Sequence, residues 1–341
     1  MYPSTSPEAG RDPWSEEART RPAGRAPSGA PSRGASPRGA PRAETSRSTR
    51  QYPGPGDGAD PTPGTDEMPI RRLLSLSIAG FAALLGVGLV FGAQTAGPGT
   101  RLPFALIVFG VQVLFILAWT MALRPPALWV IAVVSVAVAG AADAAAVGPE
   151  IAALAPLGYV LACGFVAAVI AQLVRRKDRE RVTESLGSTL LIMVGVVAFA
   201  TLIVLGRLPI GGTQAIFVAL TAAGVALTVA HLTDAVLPRP RLAPQVPRGV
   251  FGVVLGAMTG TLVSAIIGSY VVAFSPASGA VIGFVTAGAA VLVDLAADYS
   301  EAGRQMAGEP PTMWIARHMR GPLGGFALAA PLSYAVSVLL M

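Results

Sequence analysis

The feature that most constrains this chain is a series of nine apolar runs between residues 70 and 340. A helix rises roughly 1.5 Å per residue, so about 20 apolar residues cross a hydrocarbon core of about 30 Å. The sequence therefore predicts an all-α fold, a polytopic membrane bundle with about nine transmembrane helices over residues 69–341. The runs cover 70–93, 102–123, 127–147, 151–174, 185–206, 213–237, 249–275, 278–300 and 321–340.

The composition agrees with this class of protein. Of the 341 residues, 53% are hydrophobic and 13% are charged, whereas a soluble domain carries about 25% charged residues. The net charge of +6 lies in loops beside the spans, so it does not indicate a nucleic-acid partner. Cys163 is the only cysteine, and His231 and His318 are the only histidines. These counts exclude an intrachain disulfide and a multi-histidine metal site.

The first 68 residues are rich in Pro, Gly, Ser and Arg and contain few aliphatic residues. Such a segment cannot bury enough apolar surface to offset its ordering entropy, so we predict a disordered cytoplasmic tail. Residues 19–50 include eight arginines against the single acid Glu44. This basic stretch suits contact with anionic lipid headgroups; the simpler alternative is a solvated tail without a specific role.

Arginines are concentrated in alternate loops, which predicts the orientation of the chain. One side receives Arg71, Arg72 and Arg124 and the loops at 175–181, 239–248 and 304–320. The other loops contain only Arg101 and Arg207. By the positive-inside rule the N-terminus is cytoplasmic, and nine spans then place the C-terminus outside. We therefore expect a multi-pass protein of the plasma membrane.

Small residues recur every four positions in the seventh run. Such a ridge lets another helix approach closely, because packing drives helix association in lipid. The pattern predicts a buried central helix, and it offers a face for a homo- or hetero-oligomer. The residues are Gly252, Gly256, Gly260, Ser264 and Gly268.

Three carboxylates fall near the predicted cytoplasmic ends of two spans. Asp234 ends the sixth, with His231 on the same helix face, and Asp294 and Asp298 lie one turn apart in the eighth. Carboxylates beside arginine-rich loops are what a site for Mg²⁺ and phosphate needs. The alternative is that these acids pair with loop arginines. Asp143 and Glu150, near the opposite side, are expected to be interfacial and without a chemical role.

Three segments after Asp234 form a further pattern. They are Leu-Ala-Pro at 242–244 with Pro-Arg at 247–248 and Phe-Gly at 251–252, then Val-Asp-Leu at 293–295, then Ala-Ala-Pro-Leu-Ser-Tyr at 329–334. In order and spacing, residues 234–341 resemble the C-terminal half of phosphatidate cytidylyltransferase (CDP-diacylglycerol synthase). That family joins phosphatidate to CTP in the membrane, uses Mg²⁺ and releases pyrophosphate. The segments are similar to its Leu-Ala-Pro and Ser-Pro-Lys-Lys-Thr-Trp-Glu-Gly motifs, its Gly-Asp-Leu segment and its last span.

The resemblance implies a site and also shows what is missing from it. It gives Asp294 the role of a metal ligand, and the spacing makes Asp234 and Asp298 the other metal candidates. Arg248, with Arg241 and Arg239 of the same loop, is the candidate for binding a phosphate or lipid headgroup. The family's Asp-Arg-x-Asp signature is replaced here by Gly-Pro-Leu-Gly at 321–324. Its Pro-Gly-His-Gly-Gly block would fall on residues 314–318, which do not match it. Its Lys-Lys pair is represented by Arg248 alone.

These losses remove most of the charge that would hold Mg²⁺ and the nucleotide. We therefore expect a catalytically inactive relative that binds membrane lipid, anionic phospholipid in particular, or a protein partner, with Mg²⁺ only if the family site is retained. One alternative is a working cytidylyltransferase with a rearranged site. Another is an unrelated transporter or structural membrane protein.

Overall fold

A computed structural model describes residues 72–95, 101–125, 128–148, 152–174, 182–310 and 313–340. The predicted tail at 1–68, the basic cluster at 175–181 and Glu150 lie outside these ranges. Within them the protein consists of nine helices without a strand, and each helix is long and apolar enough to cross a membrane. The predicted all-α membrane architecture is confirmed. The helices are α1 (Arg72–Gln94), α2 (Leu102–Leu123), α3 (Leu128–Val147), α4 (Ala155–Val174), α5 (Val182–Gly206), α6 (Gly212–Val236), α7 (Val250–Gly268), α8 (Pro276–Met306) and α9 (Trp314–Leu340).

Several helix ends differ from the apolar runs, most of all around α7, α8 and α9. Helix α7 stops at Gly268, and α8 begins at Pro276, where the Ser275 hydroxyl accepts a hydrogen bond of 3.1 Å from the Ser278 amide. A serine cap followed by proline in the first turn is a strong helix start. Helix α8 continues to Met306, and α9 starts at Trp314, because the turns next to the loop between them are helical but polar.

Helix α6 is the central helix of the described bundle. Its apolar window is 67% buried, and it packs against α1, α5, α7, α8 and α9. The corresponding window of α7 is only 22% buried. The prediction that α7 is the buried central helix is therefore wrong. A stripe of small residues predicts which face of a helix is packed, but it does not predict whether the other faces are buried. In α7 only the face with the small residues is buried.

The small-residue face of α7 packs inside the chain, against α6 and α8. A Cβ added to Gly260 would lie 2.5 Å from the Ala222 carbonyl oxygen and 2.8 Å from the Ala287 Cβ. The Ser264 hydroxyl donates a 2.7 Å hydrogen bond to the Gly279 carbonyl. Helices α6 and α8 of the same chain therefore fill this face, and the expected oligomer stays a prediction. The opposite face of α7 is exposed along Phe251, Val254, Leu255, Met258, Leu262 and Ile266.

Arginines mark the two ends of the bundle. At one end Arg304 of α8 donates to the Ala122 carbonyl of α2; we call this the arginine-rich end, formed by the loop at 237–249, the last turns of α8 and the first turns of α9. At the other end Arg101 donates a 3.1 Å hydrogen bond to the Val147 carbonyl, and Arg207 donates to the Ala146 carbonyl. The arginines therefore lie at the two ends of the bundle as the alternation of loops predicted. Which end faces the cytoplasm stays a prediction.

Candidate functional site

The loop at 237–249 folds back on itself and places Arg248 at the start of α7. The Leu242 amide donates to the Arg248 carbonyl at 3.1 Å, and the Val250 amide donates to the Pro240 carbonyl at 2.9 Å. The Gly249 amide donates a 2.9 Å hydrogen bond to Asp234 Oδ1 at the end of α6. These bonds turn the Arg248 side chain into the bundle, where it is 2% exposed.

The guanidinium group of Arg248 lies among three carboxylates. Its Nη1 lies 2.8 Å from Asp234 Oδ2, its Nε lies 2.8 Å from Asp298 Oδ2, and its Nη2 contacts Asp294 Oδ2. Asp234 and Asp294 are 1% and 2% exposed, whereas the side chain of Asp298 is 33% exposed. The three predicted acids are thus brought together, and they meet on the arginine.

His231 completes this group from the preceding turn of α6. Its Nδ1 lies 3.1 Å from Arg248 Nη1, and its Nε2 lies 3.1 Å from Asp294 Oδ2. A guanidinium group can only donate, so Nδ1 must accept and the ring proton must sit on Nε2, facing the carboxylate. A neutral His231 therefore accepts from Arg248 and lies beside Asp294. We call His231, Asp234, Arg248, Asp294 and Asp298 the Arg248 network.

Two glycines let neighbouring backbones close over the carboxylates. A Cβ on Gly252 of α7 would collide with Asp234 Oδ1, and one on Gly321 of α9 would collide with Asp294 Oδ1. Both glycines are buried. The network is therefore enclosed by α7 on one side and by α9 on the other.

A second set of ion pairs continues toward the arginine-rich end. Glu301 Oε1 lies 3.6 Å from Arg317 Nη1, and Glu301 Oε2 lies 3.7 Å from Arg320 Nη2. Arg320 is 2% exposed and also donates 2.8 Å to the Ser300 hydroxyl. A cavity of about 30 Å³ lies beside Glu301, Arg317 and Asp298. That is room for one or two water molecules.

Glu301 and Arg320 were not among the site residues predicted from the sequence. A signal existed for the acid, because Asp294, Asp298 and Glu301 follow the spacing of one helix face. Arg317 and Arg320 are likewise three residues apart. They lie in the first turns of α9, which hydropathy did not identify as helical because these turns are polar.

The two other predicted arginines lie apart from Arg248. Arg239 is exposed and Arg241 is half-buried, and both line an open cleft of about 580 Å³ with residues 240 and 242–244. Of the three arginines expected to bind phosphate, Arg248 is therefore buried among acids, whereas Arg239 and Arg241 line the cleft.

The residues of the Arg248 network do not fit a Mg²⁺ centre. Mg²⁺ needs near-octahedral oxygen ligands around its own position, but here a guanidinium group lies between the carboxylates. In the described parts of the chain, no three His, Cys, Asp or Glu side chains are placed to hold a metal ion. With the second set of pairs, four carboxylates face three guanidinium groups, so the charge is nearly balanced by protein alone.

No family model matches the chain, and no curated protein matches its sequence. The likeness to phosphatidate cytidylyltransferase rests on the motifs given above.

Proposed function

We propose that this protein is a catalytically inactive relative of phosphatidate cytidylyltransferase that binds anionic phospholipid at its arginine-rich end. The observation that carries the proposal is the position of the Arg248 guanidinium among Asp234, Asp294 and Asp298. Transfer of a nucleotide relies on metal ions to neutralise developing charge. An arginine among the acids offsets part of their charge and occupies the space between them, which leaves no position for the metal.

The space around the site also supports an inactive protein. The cavity beside Asp298 and Glu301 measures about 30 Å³, whereas pockets for small-molecule ligands measure about 300 Å³ or more. CTP cannot enter such a cavity unless α8, α9 and the loop at 237–249, which line it, move apart. Separation would expose Arg320 and Glu301, which are now buried.

Helix α9 supports the same proposal at the positions of the missing signature. Where the family has Asp-Arg-x-Asp, Gly321 packs on Asp294, and a Cβ on Gly324 would lie 3.0 Å from both the Trp119 ring and Val293. The small residues are needed for this close packing. The carboxylates of the signature have therefore been replaced by a helix contact.

The accessible arginines support a lipid-binding role. Arg239 and Arg241 line the open cleft of about 580 Å³ at the arginine-rich end. Basic residues next to a membrane surface attract anionic headgroups by about 1 kcal/mol each. The cleft therefore suits a phospholipid headgroup whose acyl chains remain in the bilayer.

An activity assay tests the first half of the proposal. Purified protein is incubated with CTP, phosphatidate and Mg²⁺, beside an intact cytidylyltransferase prepared in the same detergent. We expect no CDP-diacylglycerol above the background without protein. Turnover comparable to that of the intact enzyme would overturn the proposal in favour of a working enzyme with a rearranged site.

A lipid-binding measurement tests the second half. Native mass spectrometry counts phosphatidylglycerol and phosphatidylcholine bound to the wild type, to the double variant Arg239→Gln/Arg241→Gln, and to Arg101→Gln as a control at the opposite end. We expect the double variant to bind the anionic lipid roughly 30-fold more weakly, from about 1 kcal/mol per arginine. Equal retention of the anionic lipid by all three proteins would remove the assigned role.

A further inference from the structure

A second buried polar site lies between α2, α3 and α5. Asp143 of α3, which the sequence predicted to be interfacial, is 7% exposed, and Gln112 in the middle of α2 is 0% exposed. Gln112 Nε2 donates a 2.9 Å hydrogen bond to Asp143 Oδ1 and a 3.1 Å hydrogen bond to the Val196 carbonyl of α5. Both partners are acceptors, so the Gln112 amide must be oriented with its NH₂ group toward them and its oxygen Oε1 away from them.

The remaining oxygens of the pair lack a donor. Asp143 Oδ2 and Gln112 Oε1 are buried, and neither has a hydrogen-bond partner in the described structure. Buried acceptors without a donor cost free energy, and an ionised carboxylate costs far more than a neutral one. The arrangement is therefore unfavourable for a charged Asp143.

The helices that pack against α3 bring no cation to Asp143. They are α2, α4 and α5. Helices α2 and α4 contain no Asp, Glu, Lys or Arg, and the only charged residue of α5 is Glu184, about 18 Å along the helix from Val196. The titratable Tyr159 and Cys163 of α4 are exposed.

Two loop arginines bind backbone carbonyls of α3 one turn beyond Asp143. Arg101 and Arg207 donate to the carbonyls of Val147 and Ala146 in its last turn. Burial and then the charge of Arg101 lower the pKa of Arg207. None of the ion pairs seen among the described residues includes Asp143.

We propose that Asp143 and Gln112 form a proton-binding site inside the membrane, in which Asp143 is neutral and carries a proton on Oδ2. The proton supplies the donor that Gln112 Oε1 lacks, so the acid and the amide make two hydrogen bonds with each other. The ligand of the site is a single proton, taken from water. This inference is independent of the proposed function, because the site shares no residue with the Arg248 network.

Infrared spectroscopy of the full-length protein in detergent tests the site. We expect the wild type at neutral pH to show the C=O band of a neutral carboxyl group, and we expect Asp143→Asn to lose it. Glu309→Gln, which changes an exposed acid, keeps the band. Asp143→Asn should also melt at the wild-type temperature, because its amide offers the same donor and acceptor as the neutral acid.

A second variant keeps the test decisive if Asp143→Asn does not fold. Gln112→Leu removes the hydrogen bond to Asp143 Oδ1, which moves the neutral carboxyl band to higher frequency. A neutral-acid band that is absent from the wild type, that survives in Asp143→Asn, or that keeps its position in Gln112→Leu would overturn the assignment.

Discussion

Arg248 Nη1 lies 2.8 Å from Asp234 Oδ2, although Asp234 belongs to the last turn of α6 and Arg248 precedes α7. The pair closes the loop at 237–249, and both side chains are 2% exposed. Removing one member of a buried pair leaves the other charge without compensation. The stability of the arginine-rich end therefore depends on this contact more than on the exposed arginines around it.

Replacing Arg248 with methionine should destabilise the protein strongly. The change leaves the carboxylates of Asp234, Asp294 and Asp298 together without a cation, at a cost of about 3–5 kcal/mol. The control is Arg124→Met at the same end of the bundle, where the arginine is exposed and the expected change is within about 0.5 kcal/mol. Thermal melting in detergent measures both; equal melting temperatures for the two variants would contradict the assigned network.

Divalent cations should stabilise the protein only when the arginine is absent. In Arg248→Ala, the space between the three carboxylates becomes vacant and their negative charge is no longer offset. They can then draw together around Mg²⁺ or Mn²⁺ in place of the guanidinium group. We expect the melting temperature of this variant to rise with cation concentration, as binding to the folded state requires. The wild type should not respond, and Arg248→Ala/Asp294→Asn should respond less. A cation-dependent shift in the wild type would count against a site closed by Arg248.

A single methyl group in the stripe of α7 should loosen the bundle. Gly260→Ala places a Cβ 2.5 Å from the Ala222 carbonyl oxygen, which forces α7 away from α6. We expect a loss of about 1–3 kcal/mol. Gly288→Ala in α8 is the control, because its Cβ meets nothing within 4 Å, and it should be neutral or stabilising by up to about 1 kcal/mol. The reverse order of stability would show that α7 is not packed as described.

Restoring an acid of the family signature should not restore activity. Gly321→Asp adds a Cβ and a charge against Asp294 Oδ1, so we expect a lower melting temperature and no formation of CDP-diacylglycerol. Gly303→Asp serves as the control, since a Cβ at Gly303 meets no atom within 4 Å. A Gly321→Asp protein that melts like the control and turns over CTP would contradict both expectations.

The helical frame could be predicted because hydropathy reports it directly. The run at 102–123 matches α2 (Leu102–Leu123) residue for residue. The start of α9 was missed because Arg317, His318 and Arg320 lower the hydropathy of turns that are nevertheless helical. Apolar length finds the part of a helix inside a bilayer, and it does not find a polar extension.

The site was predictable only in part. The common depth of Asp234, Asp294 and Asp298 followed from their places near helix ends, and the structure brings them together. The position of Arg248 depends on how the loop at 237–249 folds back. Hydrophobic periodicity predicts helices and does not predict the path of a loop. The role of Gly321 was also hidden, because a glycine in a sequence does not show which atom of another helix approaches it.

The Arg248 network also has a consequence for the order in which the protein is made. Asp234 and Arg248 are only 14 positions apart, so a ribosome delivers them almost together, whereas Asp294 and Asp298 follow after α7 has been synthesised. Chains mature from the N-terminal side first. The hairpin of α6 and α7 can therefore enter the membrane with Asp234 already paired to Arg248, and α8 then packs Asp294 and Asp298 against the same arginine.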